Sequence, residues 1–173
     1  MKIILDAMGG DNAPQAPMEG AILAAERYGC DIILTGDGTR LNALLQGRGA
    51  GHITIVPTTE VVTMEDKPST AVRQKKDSSM SVGLRMLAEG QADAMISAGS
   101  TGALLTGATL VTKRIKGVRR AALGTLVPQQ NGGKAILMDC GANAECTPEY
   151  LVQFALMGYL YMKCQQGVER PRV

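Results

Sequence analysis

Aromatic side chains are nearly missing from this 173-residue chain, which has four Tyr, one Phe and no Trp. That shortage argues against a surface that stacks nucleic-acid bases on rings. An excess of one charge is missing too: 18 Lys and Arg face 16 Asp and Glu, a formal net charge of +2. The basic residues are scattered, so DNA and RNA find no electrostatic footprint. A single His, and four Cys with no CxxC spacing, form no zinc pattern, so no metal is expected. The opening MKIILDAMGG has one Lys and a short apolar run before Asp6, which is not the layout of a signal peptide. Cys30, Cys140, Cys146 and Cys164 are therefore expected to be reduced thiols of a cytoplasmic protein. The uncharged stretch between Asp93 and Lys113 is broken by Ser, Thr and Gly around GSTG, which suits a strand–turn–helix better than a membrane span.

Glycine is what the chain has in plenty: 21 residues, or roughly 12% against a usual ~7%. Its use follows an alternation of strand and helix patterns. Strands are expected at Lys2–Leu5, Asp31–Leu34, His52–Val56, Ala92–Ile96, Ala121–Val127 and Ala135–Met138. Helices are expected near Gln15–Tyr28 and Thr39–Leu45, from Ser78, from Ala103, and over Pro148–Gln165. The last has Thr147 as its cap, Pro148 at the first position and Gly167 as its stop. Such alternation predicts βαβ units and one mostly parallel sheet covered on both faces, a single α/β domain over residues 1–173. Residues 57–77 break the rhythm as a long polar loop with a short helix after Pro68, and long connections in compact domains carry function or disorder. Asp77 or Ser78 is placed to cap the helix that follows.

Three glycine loops each follow an expected strand: Asp6-Ala7-Met8-Gly9-Gly10-Asp11, Ser97-Ala98-Gly99-Ser100-Thr101-Gly102 and Asp139-Cys140-Gly141-Ala142-Asn143. In an open α/β sheet, ligands bind beyond the carboxyl ends of the strands, where glycine lets backbone approach and helix N-termini attract anions. Taken singly, each loop is ordinary turn chemistry. Three together point to one shared sheet edge. None is GxGxxG or GxxxxGK[ST], so the dinucleotide and triphosphate fingerprints are absent. Arg73, Lys75 and Lys76, followed by Ser78 and Ser79 at a helix start, suit a phosphate; the plainer reading is a solvated charged loop. His52 and the cysteines read as structural.

LDAMGGDNAP, KKDSSM, ADAMISAGSTGALL, RIKGVRRAAL and LMDCGANAECTPEYLVQFALMG stand in this order along the chain. In these motifs, across essentially its whole length, the sequence resembles the bacterial PlsX-type phosphate acyltransferases of phospholipid synthesis. The resemblance implies a three-layer α/β/α sandwich similar to the isocitrate/isopropylmalate dehydrogenase-like fold, and a homodimer. It implies transfer of a long-chain acyl group from acyl carrier protein to inorganic phosphate, without a cofactor. Members of that family are about twice this length, so the resemblance also implies that the chain is the N-terminal half of a longer enzyme; the alternation by itself predicts another strand after Arg172-Val173. A phosphate acetyl/butyryltransferase acting on acyl-CoA, and a non-catalytic half-fold that binds phosphate or dimerises, are the alternatives.

Within that reading Lys76 and Asn143 are the catalytic candidates, Asn143 as an oxyanion donor. Phosphate is assigned to Ser97, Gly99, Ser100, Thr101 and Gly102 together with Arg73 or Lys76. Asp6, Gly9, Gly10, Asp11, Ser78, Ser79, Asp139 and Gly141 complete the candidate site. The basic cluster Arg114, Lys116, Arg119 and Arg120 suits the acidic carrier or peripheral contact with an anionic membrane face. The chain departs from the family pattern at Ser100, where Asn is usual, at Ala121, where Pro is common, and at Cys140, where a small aliphatic residue is typical.

Overall fold

The computed structural model describes residues 1–46, 48, 51–130 and 132–173. They divide into two compact units, Met1–Lys113 and Arg114–Val173.

The first unit is built on four parallel strands: β1 (Lys2–Asp6), β2 (Asp31–Gly36), β3 (Ile53–Pro57) and β4 (Ala94–Ile96), in the order β3-β2-β1-β4. Between them run α1 (Gln15–Tyr28), α2 (Gly38–Leu45), α3 (Ala71–Gln74) and α4 (Ser79–Ala88), with α5 (Thr101–Val111) after β4. Side chains alternate across a strand, so a parallel sheet of this kind must be apolar on both faces. Ile32 and Leu34 of β2 join Met18, Ala21 and Ile22 of α1 and Leu41 of α2 in one core. On the opposite face, Ile4 and Met95 flank Gly83 of α4, where an added Cβ would stand 3.0 Å from Ile4 Cγ2 and 2.9 Å from Met95 Cε. A second core joins Val62, Ala71, Val72, Met80, Leu84 and Ala103. The first unit thus has the expected layers of helix, parallel sheet and helix.

Capping sets where the helices begin. Asp37 accepts from the N–H groups of Thr39 and Arg40 and starts α2. Ser78 accepts from Ser81 N and starts α4. Asp77, the other expected cap, instead accepts from Thr59 N at 2.9 Å and Thr59 Oγ1 at 2.5 Å. The 57–77 segment is therefore tied down, with its short helix α3 as expected. Asp66 accepts from Thr63 N at 2.7 Å and from Lys75 Nζ at 2.6 Å, while Val62 and Val72 are buried beneath. The Lys75 ammonium and then the Thr63 N–H hold the Asp66 carboxyl below its ordinary range.

The second unit departs from expectation. β5 (Gly124–Pro128) and β6 (Lys134–Met138) pair antiparallel as a separate two-stranded sheet, not as further parallel strands. The connection between them, residues 129–133, is too short for the crossover that parallel pairing requires. α6 (Pro148–Gln166) follows and buries Phe154, Gly158 and Met162. Pro148 and the left-handed Gly167 bound it as expected, but the Thr147 side chain makes no capping bond.

Candidate functional site

In a sheet ordered β3-β2-β1-β4, the connections from β1 and β4 leave toward opposite faces, which opens a crevice between the carboxyl ends of those strands. The first two glycine loops meet there. Ser97 Oγ donates to Asp6 Oδ2 at 2.7 Å and accepts from Gly99 N at 3.1 Å, while Met8 N donates to Asp6 Oδ1 at 3.2 Å. Asp6 is only 2% exposed, so its place is inside the join rather than on the ligand side. Asp6 thereby fixes the Ser97 hydroxyl and the backbone of its own loop.

The join leaves no room for side chains. A Cβ on Gly9 would stand 2.7 Å from Asp6 Oδ2 and 2.9 Å from both Gly99 N and Ser97 Oγ. Gly10 has φ +102°, a conformation open chiefly to glycine, and faces Ala98. Two helix N-termini come up to the same loops. Ser100 is buried and caps α5 by accepting from Ala103 N at 3.4 Å, and the Met80 methyl in the first turn of α4 lies against Gly99. Ser and Asn cap equally well, so Ser100 in the place of Asn costs α5 nothing in capping. Pro68 packs on Gly102, which brings the 57–77 segment to the rim.

The structure sorts the remaining candidates. Thr101 and Asp11 are exposed beside the loops. Arg73 and Lys76 are also exposed, on the stretch leading into α4; only the backbone carbonyl of Lys76 is engaged, by Arg85 Nη1. Lys75 is the structural member of the pair, donating to Val61 O and Asp66. Ser78 spends its hydroxyl on Lys75 O and Ser81 Oγ, and Ser79 is buried in the first turn of α4.

Asp139, Gly141 and Asn143 belong to the second unit. There Asp139 is a hub: it accepts from Leu123 N at 2.7 Å, Asn143 N at 2.7 Å and Asn143 Nδ2 at 3.2 Å. Burial raises its carboxyl, and the N–H groups of Leu123, Asn143 and Ala142 outweigh that and hold it below its ordinary value. Both amide hydrogens of Asn143 are engaged, by Asp139 and by Ala121 O at 2.9 Å. Asn143 is therefore a brace in this conformation, with no hydrogen left for an oxyanion. Its carbonyl accepts from Arg120 Nε, while Arg119 pairs with Glu149 and Arg114 donates to Arg119 O, so three members of the basic cluster are tied into their own unit. No helix among the described residues is long and apolar enough to cross a membrane.

The family model described as "Fatty acid synthesis protein" matches residues 1–173. The chain belongs to this family. It is 47% identical over 175 residues to the phosphate acyltransferase of Clostridioides difficile (strain 630), covering all of this chain and 52% of the relative. It is 43% identical over 176 residues to that of Myxococcus xanthus (strain DK1622), covering 50% of the relative. It is 45% identical over 174 residues to that of Desulfitobacterium hafniense (strain Y51), covering 52%. The chain spans about half the length of these curated relatives.

Proposed function

We propose that the β1/β4 crevice holds inorganic phosphate, and that the protein transfers a long-chain acyl group to it from the thioester of acyl carrier protein. The observation that carries this is the Asp6–Ser97 hydrogen bond, which locks two glycine loops into one cradle at the crevice. The relatives named phosphate acyltransferase support the reaction class.

Phosphate is already nucleophilic, so the step needs no Ser–His pair. A phosphate oxygen attacks the carbonyl carbon, the carbonyl becomes an oxyanion, and collapse expels the thiolate, leaving the acyl group on phosphate. Positioning the two reactants supplies up to ~7–11 kcal/mol. A donor aimed at the oxyanion contributes about 3–4 kcal/mol when measured by its removal. Backbone N–H groups of the Gly9–Gly10 turn and of Thr101 and Gly102 at the N-terminal end of α5 are the donors we assign to phosphate. Exposed Arg73 and Lys76 supply its counter-charge.

Lys76→Met is expected to lower kcat/KM for phosphate by about a hundredfold, as loss of one transition-state donor does, without lowering Tm. Lys75→Met is expected to do the reverse, since it breaks the Asp66 contact. Phosphate kinetics unchanged in Lys76→Met would remove that residue from the site. The reaction itself is tested by following loss of long-chain acyl carrier protein thioester with and without phosphate and trapping acyl phosphate with hydroxylamine. This chain and the full-length Clostridioides difficile relative would be run side by side. Thioester left intact by both would overturn the reading.

A further inference from the structure

Lys76 stands between anchored neighbours. On one side, Lys75 donates from Nζ to Asp66 at 2.6 Å, and its carbonyl accepts from Ser78 Oγ at 2.8 Å. On the other side, the Asp77 carboxylate accepts from both N and Oγ1 of Thr59. The carbonyl of Lys76 itself accepts from Arg85 Nη1 at 2.6 Å. Glu60 then holds the stretch through all of its polar groups. Its Oε2 accepts from Asp77 N at 2.9 Å, its N–H donates to Asp77 O at 3.3 Å, and its carbonyl accepts from Ser79 N at 3.2 Å. From Lys75 to Ser78, the side chains of Lys75, Asp77 and Ser78 are all bonded, and that of Lys76 alone is left in solvent.

The outer contacts of this set contribute little to stability. Thr59, Asp77 and Arg85 are exposed and Glu60 is half-buried, so water can replace a lost partner. Their consequence is conformational. A lysine that meets an anion must fix its own side-chain torsions, and on a loose loop it must fix the backbone beneath them as well. Ordering of that kind subtracts from binding, and a backbone held in advance removes its share. The held stretch also has a fixed place beside the crevice. It leads into α4, and four residues after Lys76 the Met80 methyl lies against Gly99 of the second glycine loop. The anchors around Lys76 therefore set where its side chain leaves the backbone relative to that loop.

We propose that Glu60 and Arg85 are positioning residues for Lys76, Glu60 through the Asp77 backbone and Arg85 through the Lys76 carbonyl, and that together they hold its ammonium ready for the anion. This rests on the assignment of phosphate to the β1/β4 crevice with Lys76 as counter-charge. Arg85 has a competing role as a cation that attracts phosphate through its own charge. Glu60 separates the two roles, because a carboxylate repels phosphate and can favour it only through geometry.

Calorimetric titration of this chain with inorganic phosphate, with thermal melting alongside, is the experiment. Glu60→Ala is expected to weaken phosphate about tenfold, the scale of one hydrogen bond to a charged group, with Tm close to the wild type. Glu60→Gln removes the same charge but keeps an acceptor for Asp77 N, and it should bind like the wild type. Arg85→Met should weaken phosphate about tenfold as well. In a Lys76→Met background no ammonium is left to place, so neither Glu60→Ala nor Arg85→Met should weaken binding further. The proposal is overturned if Glu60→Ala and Glu60→Gln bind alike, if Arg85→Met binds like the wild type, or if either loss persists undiminished in Lys76→Met. Should Glu60→Ala not fold, Arg85→Met with and without Lys76→Met decides. Wild-type affinity in Lys76→Met would overturn the placement of Lys76 beside phosphate and the positioning role with it. A failure confined to the Glu60 and Arg85 variants overturns the positioning role and leaves that placement standing.

Discussion

Gly9→Ala is expected to unfold at a lower temperature than the wild type and to lose phosphate. The added methyl would meet Asp6 Oδ2 at 2.7 Å, Gly99 N at 2.9 Å and Ser97 Oγ at 2.9 Å, and two of these atoms form the hydrogen bond that joins the loops. Backbone on one side and a buried carboxylate on the other leave little to give way. Overpacking of this kind costs about 1–3 kcal/mol. For a unit of this size that is a fall in Tm of roughly 4–12 °C. The phosphate effect should exceed the stability effect, because any relief of the clash drives the two glycine turns apart and shifts the Gly9–Gly10 N–H groups and the start of α5 relative to each other. Gly20→Ala is the control. Gly20 lies within α1 with nothing within 4 Å of an added Cβ, so alanine there should stabilise by about 0.5–1 kcal/mol and leave binding alone. Calorimetric phosphate titration and thermal melting of the three proteins decide the matter. A Gly9→Ala variant that melts and binds like the wild type would show that the β1/β4 crevice is not where phosphate goes.

Asp139→Ala should have the second large effect, confined to Arg114–Val173. It strands the N–H groups of Leu123 and Asn143 and frees the Asn143 amide. Each donor left unpaired in a part-buried place costs about 1–3 kcal/mol. A 60-residue unit has little to spare, being within the range where a single core is marginal. The same carboxylate predicts acid sensitivity with a definite sign. Its folded pKa is held below the ordinary 3.8, so the stability it contributes is fully present above that value. It is lost as pH falls through the lower folded value. Three of the four tyrosines, Tyr150, Tyr159 and Tyr161, lie in this unit, and with no Trp their fluorescence follows its unfolding. Melting followed by tyrosine emission from pH 7 down to pH 2 should show the acid loss in the wild type and a flatter limb in Asp139→Asn. Asp66 and Asp77 are also held low, by Lys75 and by Thr59, so Met1–Lys113 is expected to weaken in acid in both proteins. An identical tyrosine profile in wild type and Asp139→Asn would remove Asp139 as the source.

Much of the site could be read from residue order alone. A glycine loop directly after a strand is a local pattern, and strand alternation places such loops at one edge, so Gly9, Gly10, Ser97 and Gly99 were accessible to sequence. The partner of Asp6 was not, because Ser97 lies 91 residues away and nothing local marks the pair. The two lysines show the same limit. Lys75 and Lys76 are neighbours of one type, and only the fold turns one toward Asp66 and leaves the other in solvent. Asn143 read as a donor because its amide carries two hydrogens; tertiary contacts with Ala121 and Asp139 use both.

The antiparallel hairpin β5–β6 shows where pattern reading misleads. Two apolar runs of strand length look the same whichever way they pair, and the direction is set by the length of the connection. By itself the sequence determined the α/β class, the parallel order of the first four strands as a consequence of their intervening helices, the glycine-lined edge and the family. Those features depend on periodicity, turn residues and motif order, which are local. Tertiary structure alone decided which of several chemically similar side chains brace the loops and which face outward. That choice depends on burial and on hydrogen bonds between residues far apart in the chain, and a buried polar group takes whatever partner the fold brings to it.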